Sequence, residues 1–167
     1  MGATCQRTRS CQRSFCGGIA AVYPQLMVGR ITVRTAEPSD LSWLVQNDGH
    51  LDATTLAVKV EGGEVLLADV DGERAGLLRF DRLWSAVPFV AVVRVDCKFR
   101  RRGVGRALVG ALADQARAGG ATFVLSSATG NESEPQAWHR AVGFQVCGQL
   151  SGINDGDVTE VMFRLPL

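Results

Sequence analysis

A short basic segment near the middle of the chain combines clustered arginines with closely spaced glycines. Arg100 to Arg102 precede Gly103, and Gly105 and Arg106 follow one residue further on. If a helix begins here, its first N–H groups have no backbone partner and its dipole is positive at this end, so both favour an anion. Glycine also lets a bulky phosphate approach the backbone where a Cβ would obstruct it. The segment therefore predicts a cradle for an anion such as a phosphate; the alternative is a solvated basic loop that caps a helix.

Two common phosphate-binding loops do not fit this segment. A Walker loop needs a lysine and then a hydroxyl residue after its last glycine, and neither follows Gly105. A dinucleotide fingerprint needs a third glycine, and the chain has Leu108 at that position. The pattern excludes both of these nucleotide-binding classes.

The basic loop lies between a predicted strand and a predicted helix. The apolar run from Phe89 to Val95 is typical of a buried strand. After the loop, Val104, Leu108 and Leu112 recur at helical spacing until Gly119-Gly120 ends the pattern. Strand, loop and helix would thus hold the cradle in place.

The remaining patterns predict one mixed α/β domain around this centre. Strands are predicted at Ile31–Arg34, in a hairpin through Asp71-Gly72, at Ala121–Leu125, Phe144–Leu150 and Val158–Leu165. Helices are predicted from Pro38 to Asn47-Asp48-Gly49, over Ala53–Val60, and from a capping box at Ser133-Glu134-Pro135-Gln136 to Gly143.

Three segments together resemble the GNAT superfamily of N-acetyltransferases. These are Ile31 to Ala36 with Pro38, then Val93-Arg94-Val95 with the glycine loop, and finally Ala137 to Phe144, in which the closing helix ends in Gly-Phe. The resemblance covers residues 31–167 and implies an α/β (α+β) fold, with a mixed, mostly antiparallel sheet that splays after Val95 and is flanked by helices.

The resemblance implies acetyl-CoA as co-substrate, without a metal. It places pantetheine beside a strand and pyrophosphate on the glycine loop, with a further contact to pantetheine from an asparagine before the closing helix. The implied cofactor-binding residues are Val93, Arg94, Val95, Arg100, Arg101, Arg102, Gly103, Val104, Gly105, Arg106 and Asn131. The implied reaction is direct attack on the thioester by a primary amine of a small molecule or protein.

The chain departs from the family at the residues that carry out the chemistry. The strand from Phe89 to Val95 has no carboxylate to serve as base, which leaves Asp81, Asp96 or a bound water. The family tyrosine position is His139, while the family asparagine, seven residues earlier, corresponds to Glu132 rather than Asn131. Because imidazole donates N–H near neutral pH, His139 is predicted as the general acid; the alternative is a structural histidine on the helix.

A second class of function is a non-catalytic acyl-CoA-binding sensor or regulatory module. The missing strand carboxylate and the missing tyrosine favour it, since Tyr23 is the only tyrosine of the chain. Amine attack can still proceed through orientation and oxyanion stabilisation alone, so the enzyme is the preferred hypothesis.

Composition narrows the set of partners. Residues 1–30 hold four arginines and no acid, so the net charge of +1 leaves −3 for residues 31–167. A mildly acidic domain is a poor candidate for nucleic acid, and no apolar run is long enough to cross a bilayer. We therefore expect a cytoplasmic monomer or homodimer with an amine acceptor, in which Cys97 and Cys147 are reduced and at least half-buried. Residues 1–30 are predicted to be a disordered extension, or an upstream start with Met27 as initiator.

A few other residues have two interpretations each. Ser126 and Ser127 either line the acceptor site or cap the end of a strand. His50 is either a pocket residue or a simple turn residue, and Trp84 and Pro88 either wall the acceptor site or pack at an edge. Glu160 is interpreted as a carboxylate on a sheet face.

Overall fold

The computed structural model describes residues 29–167. Seven strands form a single sheet in the order β1-β2-β3-β4-β5-β7-β6. The strands are β1 (Ile31–Thr35), β2 (Val65–Val70), β3 (Glu73–Leu83), β4 (Val87–Val95), β5 (Phe123–Thr129), β6 (Gln145–Leu150) and β7 (Glu160–Pro166). The helices are α1 (Leu41–Asp48), α2 (Ala53–Glu61), α3 (Val104–Ala118) and α4 (Ser133–Val142), and short 3₁₀ turns cover Pro38–Asp40 and Cys97–Phe99. Of the predicted extension, residues 1–28 lie outside the described residues.

The sheet is mixed and mostly antiparallel, as the sequence predicted. Every neighbouring pair of strands is antiparallel except β4 and β5. The parallel β4–β5 ladder consists of two pairs, Phe89 with Leu125 and Val90 with Ser126. Both strands continue past these pairs, so a gap opens between Ala91–Val95 and Ser127–Thr129. We call this gap the β4–β5 opening.

A β-bulge in β4 determines which side chains face each side of the sheet. The β3–β4 register shifts between Arg79 and Phe80, which pair with Val92 and Val90. The intervening residue, Ala91, therefore has no partner in this ladder. As a consequence Val90 belongs to the core under α3, whereas Val92 belongs to the second core under α1 and α2.

The two cores hold the helices on opposite faces of the sheet. The core on the α3 side includes Leu108 and Leu112 of the helix and Phe163 of β7. The other core joins Leu44 of α1 and Leu56 of α2 to the sheet. Burying each such side chain contributes about 1.5–3 kcal/mol, so apolar burial fixes the helices and the loops between them.

Several predicted boundaries were wrong. Strand β5 begins at Phe123 and ends at Thr129, so Ser126 and Ser127 are strand residues and do not cap its end. The predicted capping box at Ser133 does not form, because α4 follows Glu132 and has no side-chain cap. Gln136, its assumed second member, donates instead to the carbonyl oxygens of Thr129 and Gly130.

The prediction of the Asp71-Gly72 hairpin is confirmed, whereas the predicted burial of the two cysteines is wrong. The Asp71-Gly72 turn joins β2 to β3 with φ of 53° and 83°, as an Asp-Gly hairpin requires. Cys97 and Cys147 are free thiols, although both are exposed rather than half-buried. Within residues 29–167, no helix is long and apolar enough to span a bilayer. In the same residues, no three metal-ligating side chains are grouped to hold an ion.

Candidate functional site

The backbone of β4 directs polar groups into the β4–β5 opening. The Asp96 amide donates to the Ala75 carbonyl of β3 at 2.9 Å. Because bonding alternates along an antiparallel strand, the backbone groups of Val95 and Val93 point away from β3. The Val95 carbonyl indeed accepts from Arg100 Nε at 3.3 Å, outside the β3–β4 ladder. The opening therefore presents backbone donors and acceptors to an extended ligand.

Helix α3 begins at the end of β4 nearest the opening. Gly103 is the residue before the helix, with φ of 90°, and its carbonyl accepts the first helical hydrogen bond, from Ala107, at 2.9 Å. The amides between them have no partner within the helix. Among residues 29–167, an added Cβ on Gly103 would meet only Ile31 Cδ1 at 3.8 Å, so the positive φ is what demands glycine here.

Gly105 has a structural role that the sequence did not reveal. It is buried in the first turn of α3, and an added Cβ would lie 3.2 Å from Cζ2 of Trp138 on α4. Close packing of the two helices therefore accounts for a glycine at this position.

The four arginines of the loop are exposed around the start of α3. The Arg102 guanidinium lies 5.4 Å from the centroid of the Phe99 ring, and Arg106 donates to the Ala141 carbonyl of α4. Arg101 adopts a positive φ of 63°. These contacts hold positive charge beside a helix N-terminus, an arrangement that favours an anion.

His139 is buried at the closed end of the opening, with 5% of its surface exposed. Its Nδ1 lies 2.7 Å from the Pro135 carbonyl oxygen, which can only accept, so Nδ1 carries the hydrogen. Nε2 then accepts from the Ser126 hydroxyl at 2.8 Å. Burial lowers the pKa of His139, against a smaller raising effect of the Pro135 hydrogen bond. The neutral imidazole thus has both nitrogens engaged.

Ser126 belongs to the last β4–β5 pair and is itself buried. Its hydroxyl lies 3.2 Å from the Val90 carbonyl oxygen as well as 2.8 Å from His139 Nε2. With one hydrogen to donate, the hydroxyl can exchange between acceptors. Ser126 and His139 form a hydrogen-bonded pair that we call the Ser126–His139 dyad.

The model of the Acetyltransferase (GNAT) family matches residues 27–144. The chain belongs to this acetyltransferase family. It is 34% identical over 95 residues to "Probable N-acetyltransferase 14" of Danio rerio, covering 56% of this chain and 34% of that protein. It therefore spans about a third of this relative. It is 28% identical over 153 residues to the aminoglycoside N(6')-acetyltransferase type 1 of Stenotrophomonas maltophilia, covering 81% of this chain and 94% of that protein.

The fold is also that of solved acetyltransferases. The structure of yncA from Salmonella typhimurium, which contains acetyl-CoA, superimposes with a TM-score of 0.70 at 18% identity and covers 83% of this chain and 94% of that one. The splayed sheet predicted from the sequence is thus confirmed as a GNAT fold.

The residues around the opening of this GNAT domain suit acetyl-CoA, the co-substrate of the family. Outward-pointing backbone groups of β4 match the amides of an extended pantetheine, and the α3 amides match a pyrophosphate. A third feature is Glu132, whose Oε2 is buried without a hydrogen-bond partner within residues 29–167. Asn131, the residue predicted from the sequence, is exposed in the turn before α4. Of these two neighbours, it is Glu132 that has a buried oxygen without a partner.

Neither carboxylate considered as a base is free. Asp81 accepts from Lys59 Nζ at 2.5 Å, and Asp96 accepts from the Lys98 amide at 3.0 Å. On the other hand, Glu160, interpreted from the sequence as a sheet-face residue, is 2% exposed with Oε1 unpartnered within residues 29–167. Its burial depends on strand order and on a loop, which a linear pattern does not reveal.

Two arginines fasten the α1–α2 connection to the sheet. Arg79 Nε donates to Asp48 at 2.9 Å in a buried ion pair, and Arg94 donates to the Asn47 carbonyl at 2.9 Å. His50 is exposed in this connection, and its amide donates to Asp48 at 3.1 Å. The connection is therefore held beside the β4 face opposite α3.

Trp84 and Pro88 lie in the β3–β4 hairpin. Trp84 is 81% exposed at its tip with φ of 50°, and Pro88 is buried within β4. Pro88 pairs with Arg82, before the last β4–β5 pair, and so lies outside the opening.

Proposed function

We propose that this GNAT domain transfers the acetyl group of acetyl-CoA to a primary amine of a small molecule or protein by direct attack. The observation that carries the proposal is the coincidence of the β4–β5 opening with the N-terminus of α3. One supplies backbone groups for an extended chain, and the other supplies amides and positive charge for a diphosphate. Both lie at the carboxyl end of the same strand.

The proposed cofactor contacts follow the order of the chain. Backbone groups of Val93 and Val95 would pair with pantetheine, with Arg94 between them. The loop from Arg100 to Arg106, through Gly103, Val104 and Gly105, would hold the pyrophosphate. Glu132 Oε2 would accept from a pantetheine N–H, a role for which its buried, unfilled lone pairs suit it better than the exposed Asn131.

The proposed chemistry needs little from ionised side chains. The amine nitrogen adds to the thioester carbonyl carbon, which forms the C–N bond and an oxyanion, and collapse of this intermediate breaks the C–S bond. The proton that the amine loses balances the one that the thiolate gains. Backbone N–H groups of β4 would stabilise the oxyanion. The Ser126 hydroxyl would turn from His139 to donate a hydrogen bond to the departing sulfur. In this proposal His139 is a positioning residue that acts through Ser126.

The acceptor of the aminoglycoside relative is an amine, which supports an amine acceptor here. A rival function, the non-catalytic acyl-CoA-binding sensor, is favoured by one observation, namely that both nitrogens of His139 are engaged internally. A cytoplasmic location is part of the proposal, supported by the free thiols of Cys97 and Cys147.

Thiol release from acetyl-CoA in the presence of primary amines separates the two functions. We expect amine-dependent release together with an acetylated product of the corresponding mass. Saturable binding of acetyl-CoA without release, over small amines and amino-terminal peptides alike, would contradict the enzyme and support the sensor.

A further inference from the structure

Glu160 is a buried carboxylate with only one of its two oxygens engaged. It is the first residue of β7 and is 2% exposed. Oε2 accepts from Asn154 Nδ2 at 3.0 Å, whereas Oε1 is buried without a partner among the described residues. Desolvating a carboxylate oxygen without a donor is unfavourable. Such an arrangement suits a side chain that awaits a ligand.

The strand register places Glu160 at the wide end of the β4–β5 opening. Glu160 pairs directly with Thr129, the last residue of β5. Ala128 belongs to the core on the α3 side, so the alternation of strand residues directs Thr129 and its partner Glu160 to the opposite face. Thr129 lies three residues beyond Ser126, roughly 10 Å along the strand. The carboxylate thus lies on the face away from α3 and α4. Burial has the largest effect on the pKa of His139 and lowers it, while the negative charge of Glu160 makes a minor contribution that raises it.

The surrounding sequence is acidic. Residues 130–160 contain five acidic residues and a single arginine, Arg140. Two of the acids, Asp155 and Asp157, are exposed in the loop that also carries Asn154. Together with Glu160, the two aspartates place negative charge along the segment that follows Asn154, which favours the approach of a cation.

The hydrogen bond from Asn154 to Glu160 is weaker than the one that a cationic group would make. Asn154 provides one neutral N–H donor to one oxygen, and it belongs to the loop between β6 and β7. An ammonium group brings several donors and a positive charge, and hydrogen bonds between ionised partners are about twice as strong as neutral ones. A cationic group that displaced Asn154 would fill both oxygens.

We propose that Glu160 anchors a second cationic group of the acceptor, so that the acceptor carries at least two amino groups. One amine reacts near the Ser126 end of the opening while the other binds Glu160, roughly 10 Å away. The inference rests on the proposed function, because that function places acetyl transfer at the closed end. It narrows the acceptor class from any primary amine to a di- or polyamine of that span.

The test compares three amines with the full chain and acetyl-CoA, namely 1,8-diaminooctane, 1,3-diaminopropane and octylamine. For the wild type we expect kcat/KM for 1,8-diaminooctane to exceed those for the other two amines by about 10-fold, the effect of one buried charge-assisted contact. In Glu160→Gln this ratio should fall to about one with octylamine turnover unchanged. Gln can still accept from Asn154, and thermal unfolding checks its folding. Glu134→Gln, an exposed glutamate of α4, should keep the wild-type ratio.

A ratio near one in the wild type, or an unchanged ratio in Glu160→Gln, would overturn the anchor even when acetyl transfer is observed. If no amine is acetylated, the proposed function fails, and thermal stabilisation of the CoA-bound protein by 1,8-diaminooctane decides the anchor separately. Stabilisation of the wild type that is lost in Glu160→Gln supports it. Stabilisation of neither protein, or of both equally, contradicts it.

Discussion

The Ser126 hydroxyl donates to Nε2 of His139 at 2.8 Å, where β4 and β5 part. This pair joins β5 to α4 and occupies the position at which the family resemblance implies a tyrosine. The Ser126 oxygen and His139 Nε2 share one hydrogen, that of the hydroxyl. The other hydrogen, on Nδ1 of His139, is bonded to the Pro135 carbonyl oxygen. If the two residues act as one unit, their removal should not be additive.

We expect Ser126→Ala and His139→Ala each to lower kcat by roughly 10²-fold, the scale of a lost donor near the reaction centre. The double variant should be no slower than either single one, because both remove the same interaction. Thr122→Ala removes an exposed hydroxyl just before β5, at the end of the strand away from the opening; it is the control and should leave kcat unchanged. Multiplicative losses in steady-state kinetics would show that the two residues act separately.

The lowered pKa of His139 makes stability depend on pH on the acidic side. Below the ordinary value of about 6.5, the unfolded chain binds a proton that the buried imidazole resists. The contribution of neutral His139 to the free energy of unfolding is therefore complete above about pH 6.5, and it is lost as the pH falls below that value. The melting temperature of His139→Gln should fall less than that of the wild type between about pH 7 and pH 5. Parallel melting curves would contradict the burial effect.

Gly105 and Gly110 provide a matched pair within α3. An alanine at 105 would press against Trp138 and should destabilise the fold by about 1–3 kcal/mol through overpacking. An alanine at 110 meets no atom of the described part of the chain within 4 Å and should stabilise the helix by about 0.5–1 kcal/mol. Denaturant unfolding measures both. Equal effects of the two substitutions would contradict the close contact of α3 with α4.

The buried pair of Arg79 and Asp48 should matter far more than an exposed one. Arg79→Ala leaves Asp48 buried without its partner and should lower the free energy of unfolding by about 3–5 kcal/mol. The corresponding change in the exposed pair, Arg117→Ala beside Asp114, should have no measurable effect. Similar unfolding midpoints for both variants would show that the ion pair does not fasten the α1–α2 connection.

Local patterns were sufficient for most elements of the fold. Helix α3 follows from the periodicity of Leu108 and Leu112, and the β2–β3 turn follows from Asp71-Gly72. The end of β5 was missed because Ser126 and Ser127 interrupt an apolar run, while their strand pairing with Val90 and Met162 depends on distant residues.

The candidate site was predictable only where it is contiguous in sequence. The basic glycine loop is one such segment, and the helix that it begins was visible from periodicity. The acid–base environment was not visible, since the burial of His139 between Ser126 and Phe163 results from packing of α4 on the sheet. The unfilled oxygen of Glu160 likewise depends on β7 lying next to β5.

Binding of CoA to charge-reversed variants tests the central claim, that the start of α3 holds the cofactor, most directly. Arg101→Glu and Arg102→Glu place negative charge beside the proposed pyrophosphate site, whereas Arg117→Glu places it in the last turn of the same helix. Isothermal titration should show that CoA binding weakens by at least about 10-fold in the first two variants, because like charge opposes the diphosphate. Arg117→Glu should bind as the wild type does. Equal affinity in all four proteins would contradict the claim.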